Sequence, residues 1–289
     1  MTDWPYGGRR MRFGLLTQPG SSWPELTEQW REAEDLGVDT AWVIDHFVGP
    51  EARPDTWYFE GWTMLAGLAA LTSRIRLGVM VTGNTYRNPA LLAKQAVTVD
   101  HISGGRLELG LGAGFDEREH KAYGFAFPSP GERVDMLAEA VEVITTLQAS
   151  ERSDYTGEYY RLDNAVFEPK PLQSPRLPLT IGATHPRMLA LTARYADYWN
   201  TRLPAAEAAP LCRALDDHCR DLSRAPATLL RSVLPREDVF TSLDAVRRLV
   251  DDYRAIGFTD FVFLRPTDPG QLSVMRQAAT DLFPQLRAG

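Results

Sequence analysis

The strongest constraint in this chain is a repeated switch of hydrophobic period. Short apolar or alternating runs are each followed by a longer segment with apolar residues at i, i+3, i+4 and i+7, the strand-then-helix pattern. The spacing predicts strands over 12–17, 40–44, 75–81, 106–110, 177–181, 198–201, 228–234 and 260–264. It predicts helices over 24–36, 60–71, 89–101, 132–148, 185–196, 205–223 and 242–256, with a last helix closing the chain. Residues 152–168 read as a polar hairpin excursion, and 111–131 as a long loop. Strict alternation favours a parallel sheet with right-handed crossovers. Eight such units in 289 residues favour an α/β closed (β/α)8 TIM barrel, forming one domain over 1–289, rather than an open doubly wound sheet.

Composition narrows the classes. A net charge of −7 leaves no excess of Lys and Arg to neutralise a phosphate backbone, so no nucleic-acid partner is expected. Residues 1–11 lack an apolar core of the kind secretory signals carry. No apolar run approaches the roughly 18 residues that span a bilayer, so the expectation is a cytoplasmic protein without a membrane segment. Cys212 and Cys219 lie seven apart on an expected helix and share a face. They suit two partly buried thiols, not a disulfide framework or a four-ligand zinc site.

In a closed barrel of this type, chemistry stands at the carboxyl ends of the strands. The stretch VIDHF, residues 43–47, ends the second strand, so Asp45 and His46 fall at that rim. His46 is either a reactive group or a satisfied rim histidine; Asp45 either orients the imidazole or caps local backbone. The run 81–89 after the third strand includes Val81, Thr82 and Asn84, small and hydrogen-bonding groups suited to a polar planar ligand, with Asn88 as a helix cap. After the fourth strand, Gly112, Ala113 and Gly114 let something flat approach the backbone. This is a poor dinucleotide fingerprint, because the acidic pair Asp116-Glu117 follows where a helix N-terminus should receive phosphate. After the fifth strand, Gly182, Ala183 and Thr184 precede a helix start with Arg187, an arrangement suited to an anion. No metal constellation emerges: His101, His120, His185 and His218 read as surface or capping residues, with His120 and His185 nearest the rim.

Residues 81–125, VTGNTYRNPALLAKQAVTVDHISGGRLELGLGAGFDEREHKAYGF, resemble the luciferase-like monooxygenase superfamily, and most closely its branch using the deazaflavin coenzyme F420. WVIDHF at 42–47, TGEYYRL at 156–162, FEPKPLQSP at 167–175 and IGATHPRMLALTARYADYWN at 181–200 carry the same resemblance over most of the chain. It implies a luciferase-like (β/α)8 barrel, often dimeric, with the cofactor at the strand ends. It places His46 near the reactive ring, and Met80 and Val81 at a bulge where relatives often hold a cis non-prolyl bond. It sets Gly112, Ala113 and Gly114 along the cofactor, and Gly182, Ala183 and Thr184 near its ribityl chain and phosphate. Phe115 stands where a deazaflavin sugar-phosphate dehydrogenase has a catalytic Glu and most of the branch has Trp. Ala183 replaces the second Gly of the usual pair.

On this resemblance the expected activity is hydride transfer to or from a small organic substrate. His46 acts as general acid or charge stabiliser, Asp45 sets its tautomer, and Phe115 with Trp57, Tyr58 and Phe59 walls an apolar substrate pocket. The alternatives are an FMNH2-dependent two-component monooxygenase and a non-catalytic flavin-binding barrel. The implied partners are a homodimer mate and a separate flavin or F420 reductase.

Overall fold

The computed structural model describes residues 10–17, 20–49 and 56–288; the expectation for residues 1–11 lies mostly outside them. The elements run β1 (Arg12–Leu16), α1 (Trp23–Asp35), β2 (Thr40–Val43), α2 (Gly61–Leu71), β3 (Arg76–Val79), β4 (Thr82–Gly83), α3 (Pro89–Ser103), β5 (Leu107–Gly112), α4 (Glu117–Tyr123), α5 (Pro130–Ala149), β6 (Arg152–Thr156) and β7 (Arg161–Val166). They continue with β8 (Leu179–Gly182), α6 (Pro186–Tyr195), β9 (Tyr198–Thr201), α7 (Ala205–Asp221), β10 (Leu230–Val233), α8 (Leu243–Arg254), β11 (Asp260–Leu264), α9 (Pro269–Gln277) and α10 (Phe283–Ala288). Parallel pairing runs β1–β2–β3–β5–β8–β9–β10–β11 and returns to β1, closing an eight-stranded barrel. β6 and β7 form the expected antiparallel hairpin outside it.

Helix stripes face the barrel as their spacing requires. Val246, Leu249, Val250 and Tyr253 of α8 are buried, as are Leu92, Ala96 and Val99 of α3. Each such large apolar side chain contributes roughly 1.5–3 kcal/mol by leaving water. Local signals set the helix ends. Ser129 and Glu132 close a capping box around Pro130, so α5 starts two residues before the expected 132. Cys212 and Cys219 are both buried on α7, and burial raises both thiol pKa values. Among the described residues, no helix is long and apolar enough to cross a membrane.

Two departures matter for the mouth of the barrel. The expected strand 75–81 breaks after Val79, passes a cis Met80–Val81 bond, and resumes as β4 against β5. The expected loop 111–131 contains a helix, α4. Asp116 caps it, accepting from the Glu119 N–H at 3.3 Å, and Gly124 ends it in a left-handed conformation. The acidic pair 116–117 therefore starts a helix, where carboxylates offset its free N–H groups.

The barrel interior is layered. At the amino ends of the strands, Arg12 binds Glu108 at 2.7 Å and Asp260 at 2.9 Å, and Arg76 binds Glu108 at 2.6 Å. β1 and β5 are not neighbours, so these ion pairs cross the interior. Burial pushes the Glu108 carboxyl up, but the two guanidinium charges outweigh it and hold the group at about 2. Above this layer lies the Trp42 indole. Gly78 leaves it room, since a Cβ there would sit 2.5 Å from the ring and 2.4 Å from the Glu108 carbonyl. A third, apolar layer of Leu16, Trp42, Met80, Leu234 and Val262 floors the mouth.

Candidate active site

His46 follows β2 at the mouth, and its environment comes from α4. Its Nδ1 lies 3.0 Å from Glu119 Oε2. Glu119 is fully buried and also accepts from the Tyr86 hydroxyl at 2.6 Å and from the backbone N–H groups of Phe47 and Val48 at 3.1 and 3.2 Å. A carboxylate only accepts, so Nδ1 carries the hydrogen and donates. Among the described residues no group bonds to Nε2, and the ring keeps a quarter of its side-chain surface open. Phe115, exposed at 75%, sets its ring edge-on to the imidazole with centroids 5.4 Å apart.

The expectation that Asp45 sets the His46 tautomer is corrected. Asp45 is buried and takes a two-pronged bond from Arg87, at 2.6 and 2.9 Å, plus the Gly83 N–H at 2.9 Å. Arg87 also reaches Glu60 at 2.8 Å. Asp45 and His46 thus turn to different partners, Asp45 to Arg87 and Gly83 and His46 to Glu119. Asp45 ties the end of β2 to the loop before α3.

His120 is also corrected: it is fully buried, not a surface or capping group. Its Nδ1 donates to the Asp116 carbonyl at 2.6 Å, the Thr85 hydroxyl lies 2.6 Å from Nε2, and the ring stacks on Tyr86 at 4.6 Å. Thr85 in turn abuts Gly114, which has φ +84° and no room for a Cβ. His120 thus locks α4, and with it Glu119, to the turn after β4.

The floor is built on Val81. Its methyl groups lie over β5 and β8, where a Cβ on Gly112 would come within 2.7 Å of them and one on Gly182 within 3.5 Å. Met80 is buried in the apolar layer beneath. Ala113 is half-buried against the core. Asn84 donates to the Tyr160 hydroxyl at 3.2 Å, while its buried Oδ1 has no partner. Trp57, Tyr58, Phe59, Ile44, Leu26 and Met64 line a crevice between the ends of β1 and β2 and the helices α1 and α2.

Three expected ligand contacts change. The Thr82 hydroxyl accepts from Trp62 Nε1 at 3.2 Å, so its side chain faces α2 and not the mouth. The Ala183 N–H and carbonyl are taken by Asn200 and Trp199, at 3.1 and 2.9 Å. Arg187 pairs with Asp135, which removes it as a dedicated anion ligand; Thr184 is exposed beside it. What remains is a glycine strip on β5 and β8 under Val81 and, three residues further along the chain, one orphaned buried acceptor, Asn84 Oδ1. That arrangement fits a planar ring with polar edges.

His46, Asp116 and Glu119 each offer a ligand atom within 4.8 Å of one another, a grouping the sequence reading did not anticipate. Both Glu119 oxygens already accept protein donors, and Asp116 caps α4. The buried carboxylate is therefore satisfied by protein groups, without an ion.

The pair sets a pH window. Burial lowers the His46 pKa, but the hydrogen bond and charge of Glu119, then Asp116 and Asp45, raise it above its ordinary 6.5 overall. Burial pushes Glu119 up, but bonds from His46 and Tyr86 win and hold it at about 2. The His46 contribution is complete below pH 6.5 and fades as pH rises through its raised value; the Glu119 contribution is complete above its ordinary 4.5 and is lost as pH falls toward 2. In Glu119→Gln the burial effect stands unopposed by that charge, so the imidazole titrates at lower pH than in the parent. An NMR titration of the ring protons reads this, and an unchanged midpoint contradicts the pairing.

Glu119 and Tyr86 were missed in the sequence. Asp116 followed three residues later by Glu119, with Gly124 as a stop, is a helix-start signal that would have located α4. No local signal joins it to His46, 73 positions away.

Comparison with known proteins sets this geometry in a family. The family model described as luciferase-like monooxygenase matches residues 11–267. The chain belongs to the luciferase-like monooxygenase family. Within it, the chain is 35% identical over 187 residues to the 5,10-methylenetetrahydromethanopterin reductase of Archaeoglobus fulgidus, covering 65% of this chain and 52% of the reductase. It is 33% identical over 243 residues to the phthiodiolone/phenolphthiodiolone dimycocerosates ketoreductase of Mycobacterium tuberculosis, covering 73% of this chain and 62% of that one. The chain thus spans between about half and 62% of the length of these curated relatives. An F420-dependent secondary alcohol dehydrogenase, solved with an F420–acetone adduct, superposes with a TM-score of 0.83 at 19% identity, over 94% of this chain and 99% of that one. The EDTA monooxygenase of Chelativorans sp. BNC1 superposes at 0.79 and 15% identity, over 97% and 94%. At such identities the likeness to these two structures shows the barrel fold.

Proposed function

We propose that this chain is an oxidoreductase that binds coenzyme F420 at the carboxyl-side mouth of the barrel and acts on a small organic substrate there. The observation that carries the reading is His46. Its Nδ1 is fixed on buried Glu119 while Nε2 has no partner among the described residues, at the same rim where Val81 packs on the glycines of β5 and β8. When bound, a deazaflavin supplies hydride transfer to or from carbon. Val81, Gly112, Gly114 and Gly182 would hold its flat face, and the free Oδ1 of Asn84 would accept from a ring-edge donor. His46 would deliver a proton from Nε2 to a substrate heteroatom, or take one in reverse, with Glu119 favouring the charged imidazole. Trp57 and Phe115 would shield the substrate from water. Asp45 acts one step back, by pinning the strand end that carries His46.

The named relatives include an F420-dependent glucose-6-phosphate dehydrogenase of Kineococcus radiotolerans, 35% identical over 167 residues, which supports the deazaflavin over other redox groups. The family description itself keeps a second reading in view, a monooxygenase that takes reduced FMN from a separate reductase. We infer further a single barrel domain over 1–289, a cytoplasmic location, and a homodimer. The exposed apolar residues of α2 and α3, Leu71, Leu91 and Ile102, suit a mate. A reductase for the cofactor is the other expected partner.

Incubation with reduced F420 and reduced FMN, each under air and under nitrogen, with a panel of carbonyl, imine and activated-alkene compounds, tests the reading. F420-linked reduction indifferent to air is expected. Oxygen uptake coupled to hydroxylated product with FMN alone would replace it.

A further inference from the structure

Across the barrel from β2, just past the ends of β9 and β10, stand Arg202 and Arg236, two exposed arginines without an acidic partner among the described residues. Tyr198 faces the interior, where the Arg12 guanidinium lies 4.5 Å from its ring centroid. Asn200, two residues on, is buried and donates to Ser232 of β10 at 2.9 Å. Alternation carries Arg202 onto the same inward face, one residue past the end of β9. On β10, Ser232 and Leu234 share that face and Leu234 lies in the apolar floor; Arg236 is exposed in the bend two residues beyond it. The Leu234 N–H donates to the Thr201 carbonyl at 2.9 Å, so the two strand ends stay side by side as they leave the barrel.

The two guanidiniums sense each other. Loss of hydration first, and the charge of Arg236 second, lower the Arg202 pKa. Among the described residues neither side chain has an ion pair or a hydrogen bond, whereas Arg12 and Arg76 at the other end of the barrel are both paired. The acidic residues next in sequence, Glu237 and Asp238, instead line a crevice with Arg248 and Tyr253 of α8. Both side chains are exposed, so their mutual repulsion is screened, and two adjacent guanidiniums without a carboxylate between them suit an oxyanion, which such groups bind in a planar two-pronged way.

We propose that Arg202 and Arg236 form a subsite for an anionic group of the substrate, a carboxylate or phosphate monoester, held across the barrel mouth from His46. The word substrate rests on the proposed function above. In ring order β9 is the strand opposite β2. The glycine strip that suits the cofactor lies between them on β5 and β8. A substrate anchored at the arginines therefore extends over that strip toward Nε2.

The test uses inorganic phosphate and succinate as probes, titrated calorimetrically into the parent protein and into Arg202→Gln and Arg236→Gln. F420 affinity is measured on the same three proteins by its fluorescence. At least one probe is expected to bind the parent, and each variant to weaken that binding by roughly tenfold, the effect of losing one charge-assisted contact. Melting temperatures should not fall, because each change removes a repulsion, and F420 affinity should stay the same. Equal probe affinity in all three proteins, or no probe binding to the parent, overturns the subsite. A loss of F420 affinity in step with the probe overturns the substrate assignment, since the arginines would then serve the cofactor's own phosphate. If the parent takes up no F420 but the variants still lose the probe, the anion subsite stands and the cofactor reading falls.

Discussion

Turnover with coenzyme F420 falls by roughly 10²–10⁴-fold when His46 becomes Ala, the range lost with a positioned general acid or base, while cofactor affinity changes little. The argument is geometric. Nδ1 is committed to Glu119 at 3.0 Å, so the ring cannot turn freely, and Nε2 is the nitrogen left to exchange a proton at the mouth. His46 contributes little packing at the floor, which belongs to Val81, Met80 and the apolar layer beneath. Steady-state rates and a fluorescence titration on the same variant separate the two effects. Unchanged turnover would mean that the barrel binds its ring without using the imidazole, as a non-catalytic flavin-binding protein would.

The second large effect is on stability. Glu108→Ala leaves Arg12 and Arg76 without their shared carboxylate inside the barrel. Breaking a buried pair in this way costs roughly 3–5 kcal/mol, because a dehydrated charge loses its partner. Asp260 still holds Arg12 at 2.9 Å, so Arg76 is the more exposed to the loss. Denaturant unfolding at pH 7 reads the change as a lower midpoint. The parent should also weaken in acid: the Glu108 contribution is complete above the ordinary 4.5 and drains away as pH falls toward about 2. A Glu108→Ala protein as stable as the parent would show that the crossing ion pairs contribute no net stability.

Periodicity alone carried the architecture. The 3.6-residue stripes of α3 and α8 and the short apolar strands between them dictate a closed alternating barrel, and the strand-end position of VIDHF follows from it. The detail of the mouth depends on contacts between residues far apart in the chain. Glu119 meets His46 across 73 positions and Arg87 meets Asp45 across 42, distances at which no local pattern speaks. α4 is a seven-residue helix without an apolar stripe, so it reads as loop although its cap and stop are written in Asp116 and Gly124. Thr82 leaves its expected ligand position because the strand breaks after Val79; the break resets the alternation and turns its hydroxyl toward Trp62.

The most direct test of the central claim is a fluorescence titration of F420 and, separately, of FMN into the parent protein and into Gly112→Leu. The account predicts saturable F420 binding stronger than FMN binding. It predicts loss of F420 binding in the variant, where a side chain on β5 collides with Val81 and pushes it out of place. Preferential FMN binding, or F420 binding indifferent to Gly112→Leu, would contradict it.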